Sequence, residues 1–138
     1  MRKRSNCTVI VLLTALLTPP VLADEEQIMS RGSITFVSGG VGEDSAERMA
    51  ALSKDFNLKL LFATKDGHYL ADVSVTISDS RGATVLETVS AGPFLLAKLV
   101  PGKYQIKATY AGASFAQQTT IPAGARREMV FRWVEADV

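Results

Sequence analysis

The chain has 138 residues, with 15 Lys and Arg against 14 Asp and Glu, one His and one Cys. Phosphate binding needs a basic excess gathered on one face, so this balance argues against nucleic acid as a partner. One His and one Cys exclude zinc sites built from those ligands, and any nucleophile-base pair would have to use His68.

The chain opens on the basic cluster Arg2, Lys3 and Arg4, followed by an apolar run over 9–17 and then Pro19, Pro20, Val21, Leu22 and Ala23. A basic end, a short apolar helix, a helix break and small residues at the exit form a secretory signal in the right order, with cleavage expected between Ala23 and Asp24. The apolar run is about half the ~20 residues a membrane-spanning helix needs, so no stable span is expected after cleavage. Cys7 leaves with the signal, and the mature chain has neither a disulfide nor a cysteine for a lipid anchor. A chain of this length buries about two thirds of its unfolded surface and stands on its core alone.

Asp24, Glu25, Glu26 and Gln27 form a polar leader with nothing to bury, expected to fray, and Ile34, Thr35, Phe36 and Val37 suggest a short strand ending at Gly39 and Gly40. Over 42–57 the period changes: Ala46, Met49, Ala50, Ser53 and Phe56 recur at helical spacing with Leu52 on the flank. Glu43, Asp44 and Glu47 crowd the start of that helix and Lys54 its last turns, as the helix dipole favours. Gly39, Gly40, Val41 and Gly42 ahead of a helix resemble a phosphate loop only weakly. The Lys-Ser/Thr ending is missing and the acids would repel a phosphate, so a flexible joint between sheet and helix is the expectation.

After Asn57 the period is two. Leu58, Leu60 and Phe62 alternate with their neighbours, as do Val73, Val75 and Ile77 with Asp72, Ser74, Thr76 and Ser78. Further runs lie over 84–89, 94–99, 103–110, 114–121 and 128–133, cut by turns rich in Gly, Pro and Asp. About seven short strands at this spacing predict a two-sheet sandwich. Tyr104, Ile106, Ala108 and Tyr110 form one apolar face of a central strand. The next run, with Gln117, Gln118, Thr119 and Thr120 in succession, is too polar for the middle of a sheet and is placed at an edge.

Val75, Ile77, Asp79 and Gly82, then the apolar run over 94–99, then Leu99, Pro101, Gly102, Tyr104, Ile106 and Ala108 follow a strand-turn-strand pattern. On these residues the chain resembles the carboxypeptidase regulatory-like domains. The resemblance implies a mainly β fold: a seven-stranded, prealbumin-like (Ig-like) antiparallel β-sandwich, here preceded by one helix. The expected division is a signal at 1–23, a leader with strand and helix at 24–57, the sandwich at 58–134 and a tail at 135–138. Among prealbumin-like proteins, the 5-hydroxyisourate hydrolases use several histidines and a C-terminal Tyr-Arg-Gly-Ser, which this chain lacks.

The resemblance specifies a fold and implies no activity. Asp66, Asp72 and Asp79 flank one strand without the spacing of a calcium loop, and turn aspartates commonly bind their own backbone. No cofactor, no metal and no catalytic set are expected. The expected role is that of an exported, periplasmic, non-catalytic module that binds another envelope protein or supports an envelope assembly. Its candidate site is the polar edge strand, at Ser114, Ala116, Gln118 and Thr120. The alternative is a small-ligand or glycan cleft between helix and sandwich, lined by Met49, Phe56, Tyr69 or Trp133.

Overall fold

A computed structural model describes residues 26–134, so the expected signal, its cleavage point at Ala23 and Asp24, and the tail at 135–138 lie outside the described residues. The elements run β1 (Met29–Arg31), β2 (Ile34–Gly39), α1 (Glu43–Leu52), a 3₁₀ turn (Ser53–Asp55), β3 (Leu58–Thr64), β4 (Val73–Asp79) and β5 (Thr84–Ser90), then β6 (Phe94–Lys98), β7 (Gly102–Tyr110), β8 (Ala113–Ile121) and β9 (Arg127–Trp133). They form two sheets, a five-stranded one in the order β1-β2-β6-β3-β9 and a four-stranded one in the order β5-β4-β7-β8.

The fold is mainly β with nine strands among the described residues rather than about seven. Seven of them, β3 to β9, lie from Leu58 onward; β1 and β2 extend the first sheet by pairing β2 with β6. The expectation of a wholly antiparallel sandwich also needs correction. β3 and β9 pair in parallel from Leu58 opposite Arg127 to Thr64 opposite Trp133. These strands are joined through all the intervening ones, so no tight hairpin forces them antiparallel.

The two sheets share one core. Phe36, Leu60, Phe62 and Phe131 from the first sheet meet Val75, Ile77 and Ile106 from the second, all essentially inaccessible to water. Burying each such side chain contributes ~1.5 to 3 kcal/mol. Strict alternation appears where only one face is covered, as in Val73, Val75 and Ile77. Where both faces are covered it disappears: Phe36 and Val37 are both fully buried, as are Leu95, Leu96 and Ala97.

The cause is the helix. Met49 and Phe56 pack with Val37 and Leu96 into a second, smaller core on the outer face of the first sheet, with Leu52 partly buried against it. The buried line is Ser45, Met49 and Phe56 with Leu52 half-buried, whereas Ala50, placed on the apolar stripe by spacing, is exposed. The α-helix also stops at Leu52 instead of running to 57. Ser53 Oγ donates to the Ala50 carbonyl at 2.6 Å, a local bond that competes with the α ladder as the turn tightens to 3₁₀. Asn57 then ties the entry of β3 to the end of β6, donating from Nδ2 to the Leu99 carbonyl at 2.6 Å and accepting the Leu99 N–H at 2.8 Å.

Candidate functional site

β8 is the last strand of its sheet and pairs without a register break with β7, from Tyr110 opposite Ala113 to Gly102 opposite Ile121. The loop between them has two residues, Ala111 and Gly112, with φ of 48° and 84°. Positive φ at both central positions defines a type I′ hairpin turn, whose closing bond runs from the Ala113 N–H to the Tyr110 carbonyl. Ala113 therefore faces β7, and alternation fixes the rest. Ser114, Ala116, Gln118 and Thr120 turn their backbone N–H and C=O groups away from β7. The side chains agree: Thr109 Oγ1 and Ser114 Oγ lie 2.7 Å apart, the close approach of a pair that exchanges no backbone bonds.

The four candidate residues thus lie on one strand, with exposed side chains on the outer face of the sheet and unpaired backbone along its edge. The odd-numbered neighbours point inward and close the sandwich against β9. Phe115 stacks edge-on to Trp133 at 5.5 Å, Gln117 Nε2 donates to the Val130 carbonyl at 3.2 Å, and Arg127 Nε donates to Thr119 Oγ1 at 3.2 Å. The edge is held rigid from below and open at its side.

The alternative cleft does not assemble. Met49 and Phe56 are buried beneath the helix and Trp133 is fully buried in the main core, while Tyr69 is 64 % exposed and its ring meets Phe94. A different concavity, of about 590 Å³, opens beside β8 and is lined by Asp79, Lys103, Tyr104, Gln118, Thr120 and Arg127. Burial and the nearby Asp79 charge push the Tyr104 phenol above its ordinary range, and its hydroxyl donates to the Val100 carbonyl at 2.5 Å. Spacing alone does not reveal this cleft, because it joins the β4–β5 turn, the start of β7, the end of β8 and the start of β9, four separate stretches of chain.

The remaining polar residues serve the chain itself. The Asp79 carboxylate accepts the N–H groups of Arg81 and Ala83 at 2.9 and 3.0 Å, capping its own turn. Asp66 accepts from Thr64 Oγ1 and lies 3.1 Å from His68 Nδ1, whose side chain is 72 % exposed. Among the described residues no three His, Cys, Asp or Glu gather as metal ligands, and no helix is long and apolar enough to cross a membrane.

The glycine segment before α1 has its own internal anion, Glu26, whose buried and paired carboxylate corrects the expectation of a leader with nothing to bury. Glu26 accepts from Ser45 Oγ and pairs with Arg48 at 2.6 Å, while Ser45 Oγ accepts the Gly40 N–H at 2.8 Å. The carboxylate is 5 % exposed, and the Arg48 hydrogen bond holds its pKa below the ordinary value of 4.5 against the opposing effect of burial. A depressed folded pKa means that this pair stabilises the fold fully above the unfolded value and is lost as pH falls through the folded one. Glu26→Gln is therefore expected to lower thermal stability at neutral pH, with its gap to the parent protein narrowing as pH falls below the ordinary carboxylate value of 4.5. Melting curves across that range check it; a gap independent of pH would assign the effect to packing.

The class defined by this arrangement is a two-sheet β module with a helix on one outer face and an open edge on the other sheet. Residues 55–131, more than half of the chain, match the Rhizobiales growth-associated tandem repeat domain. The chain belongs to that family. The match begins just before β3 and ends within β9, so β1, β2 and α1 precede it. No curated protein matches the chain.

Proposed function

We propose that this protein is an exported, periplasmic, non-catalytic β-sandwich module that binds another protein of the cell envelope through the edge of β8. The observation that carries the reading is the outward backbone of Ser114, Ala116, Gln118 and Thr120, a row of donors and acceptors offered to an added strand. The basic, apolar and small-residue order over 2–23 supports export. The family description speaks of tandem repetition, which supports reading the domain as a module. The seven strands from Leu58 onward support the finer assignment to a prealbumin-like, carboxypeptidase regulatory-like sandwich.

The test uses a photoreactive residue at Thr120 for cross-linking in intact cells, followed by capture of the domain. A defined protein is expected in the cross-linked product, and Gln118→Pro should lower its yield severalfold, because it removes an outward N–H without touching the β7 ladder. Capture that survives Gln118→Pro and the same change at Ser114 and Ala116 means the edge is not the contact.

The cleft beside Tyr104 favours a second reading, the binding of a small ligand or glycan. Such a ligand raises the melting temperature by mass action, and a broad screen without a shift counts against it.

A further inference from the structure

We infer that the strand added to β8 is β8 of a second copy of this chain, antiparallel about a two-fold axis at Gln117. This rests on the edge reading above and names its occupant.

The two sheets end in β1, β9, β5 and β8. β1 carries Arg31, β5 carries Glu87 and β9 carries Arg127, Glu128 and Arg132, whereas β8, Ala-Ser-Phe-Ala-Gln-Gln-Thr-Thr-Ile, has no charge, no proline and no register break in its nine residues. Charge, proline, bulges and shortness are the devices that keep an edge from pairing with its own kind. Three edges have at least one of them and β8 has none. Self-pairing at β5 or β9 has to accommodate like charges brought close in the same strand pair; at β8 nothing repels.

The register follows from the backbone. Only Ser114, Ala116, Gln118 and Thr120 face outward, so an isologous pair centred on Gln117 sets Ser114 against Thr120 and Ala116 against Gln118 of the second copy. Each of these pairs exchanges two bonds, for about eight in all. The side chains that meet on the outer face are small or neutral. Gln117 meets its own copy as a pair without backbone bonds, Cα atoms about 4.5 Å apart. Phe115, 39 % exposed in the single chain, comes opposite Thr119 of the second copy and gains cover. The two four-stranded sheets become one continuous sheet of eight.

Three measurements on the mature protein test the inference. Sedimentation should show the mass rising about twofold with concentration. Gln117→Cys should form an intermolecular disulfide on mild oxidation, since about 4.5 Å between Cα atoms falls within disulfide geometry. The mature chain has no other cysteine once Cys7 is removed, so the signal is clean, and Glu87→Cys on the β5 edge should stay monomeric. Ala116→Lys with Gln118→Lys sets lysines against lysines and should abolish the dimer while leaving the circular dichroism melt unchanged, because both positions are exposed. Mixing that variant with Ala116→Glu/Gln118→Glu should restore a dimer, now mixed. A monomer at every concentration and no Gln117→Cys product overturn the second copy. If the Thr120 photoprobe then captures a different protein in a Gln118→Pro-sensitive way, the edge reading stands with another occupant; if it captures none, both fall.

Discussion

Trp133→Ala is expected to remove ~3 to 5 kcal/mol of folding stability, a large share of the 5 to 15 kcal/mol typical of a domain. Trp133 is the chain's one tryptophan and is fully buried. Its ring lies against Phe62, Phe131, Tyr110 and Phe115 with centroids 5.5 to 6.4 Å away, and its Nε1 donates to the Ala113 carbonyl at 3.0 Å. It therefore joins β9 of the first sheet to the β7–β8 hairpin of the second. Truncation leaves a cavity that four aromatic neighbours cannot collapse into without breaking their own contacts. Trp133→Phe keeps most of that packing and loses the hydrogen bond, so its cost should be nearer 1 kcal/mol. Chemical denaturation followed by far-UV circular dichroism measures both. A Trp133→Ala loss below about 1 kcal/mol would mean that the hairpin docks by its backbone alone.

The parts of this fold that could be read in the chain are those where a periodic pattern meets a single wet face. Val73, Val75 and Ile77 are buried in alternation, and Ile106 and Ala108 line the core from the interior strand β7. β1 left no pattern to read: Met29, Ser30 and Arg31 are all exposed, and they form a strand only because β2 pairs with them. The edge position of β8 was legible in its run of Gln and Thr, which no central strand carries. Which backbone groups it turns outward was not, because that depends on the left-handed Ala111, a conformation that alanine rarely adopts. The pairing of Glu26 with Arg48 joins residues 22 apart whose spacing carries no helical or strand signal. The cleft at Tyr104 is likewise a product of tertiary assembly.

Gly92→Ala should separate the N-terminal layer from the rest. Gly92 has φ outside the left-handed region, so its glycine is required by space: an added Cβ would lie 2.9 Å from the Gly39 Cα and closer still to the Gly39 carbonyl. The segment around it cannot retreat. Ser90 Oγ donates to the Gly92 carbonyl at 2.6 Å, the Ala91 N–H to Ser38 Oγ at 3.0 Å, and the Phe62 N–H to the Pro93 carbonyl at 2.9 Å. Relief must come from β2, which has to lift from β6 and carry with it Val37 and the helix packed on Leu96. Overpacking of this kind costs ~1 to 3 kcal/mol or more. Hydrogen exchange should show β1, β2 and α1 losing protection while β3 to β9, held by their own ladders, keep most of theirs. Gly32→Ala isolates the other cause of a glycine requirement, since Gly32 has φ +60° and nothing within 4 Å of an added Cβ. Its cost should be only the ~1 kcal/mol of a left-handed alanine, spread over no particular layer. If Gly92→Ala lowers protection evenly across all nine strands, the helix layer and the sandwich unfold as one unit and the glycine contact is not a seam between them.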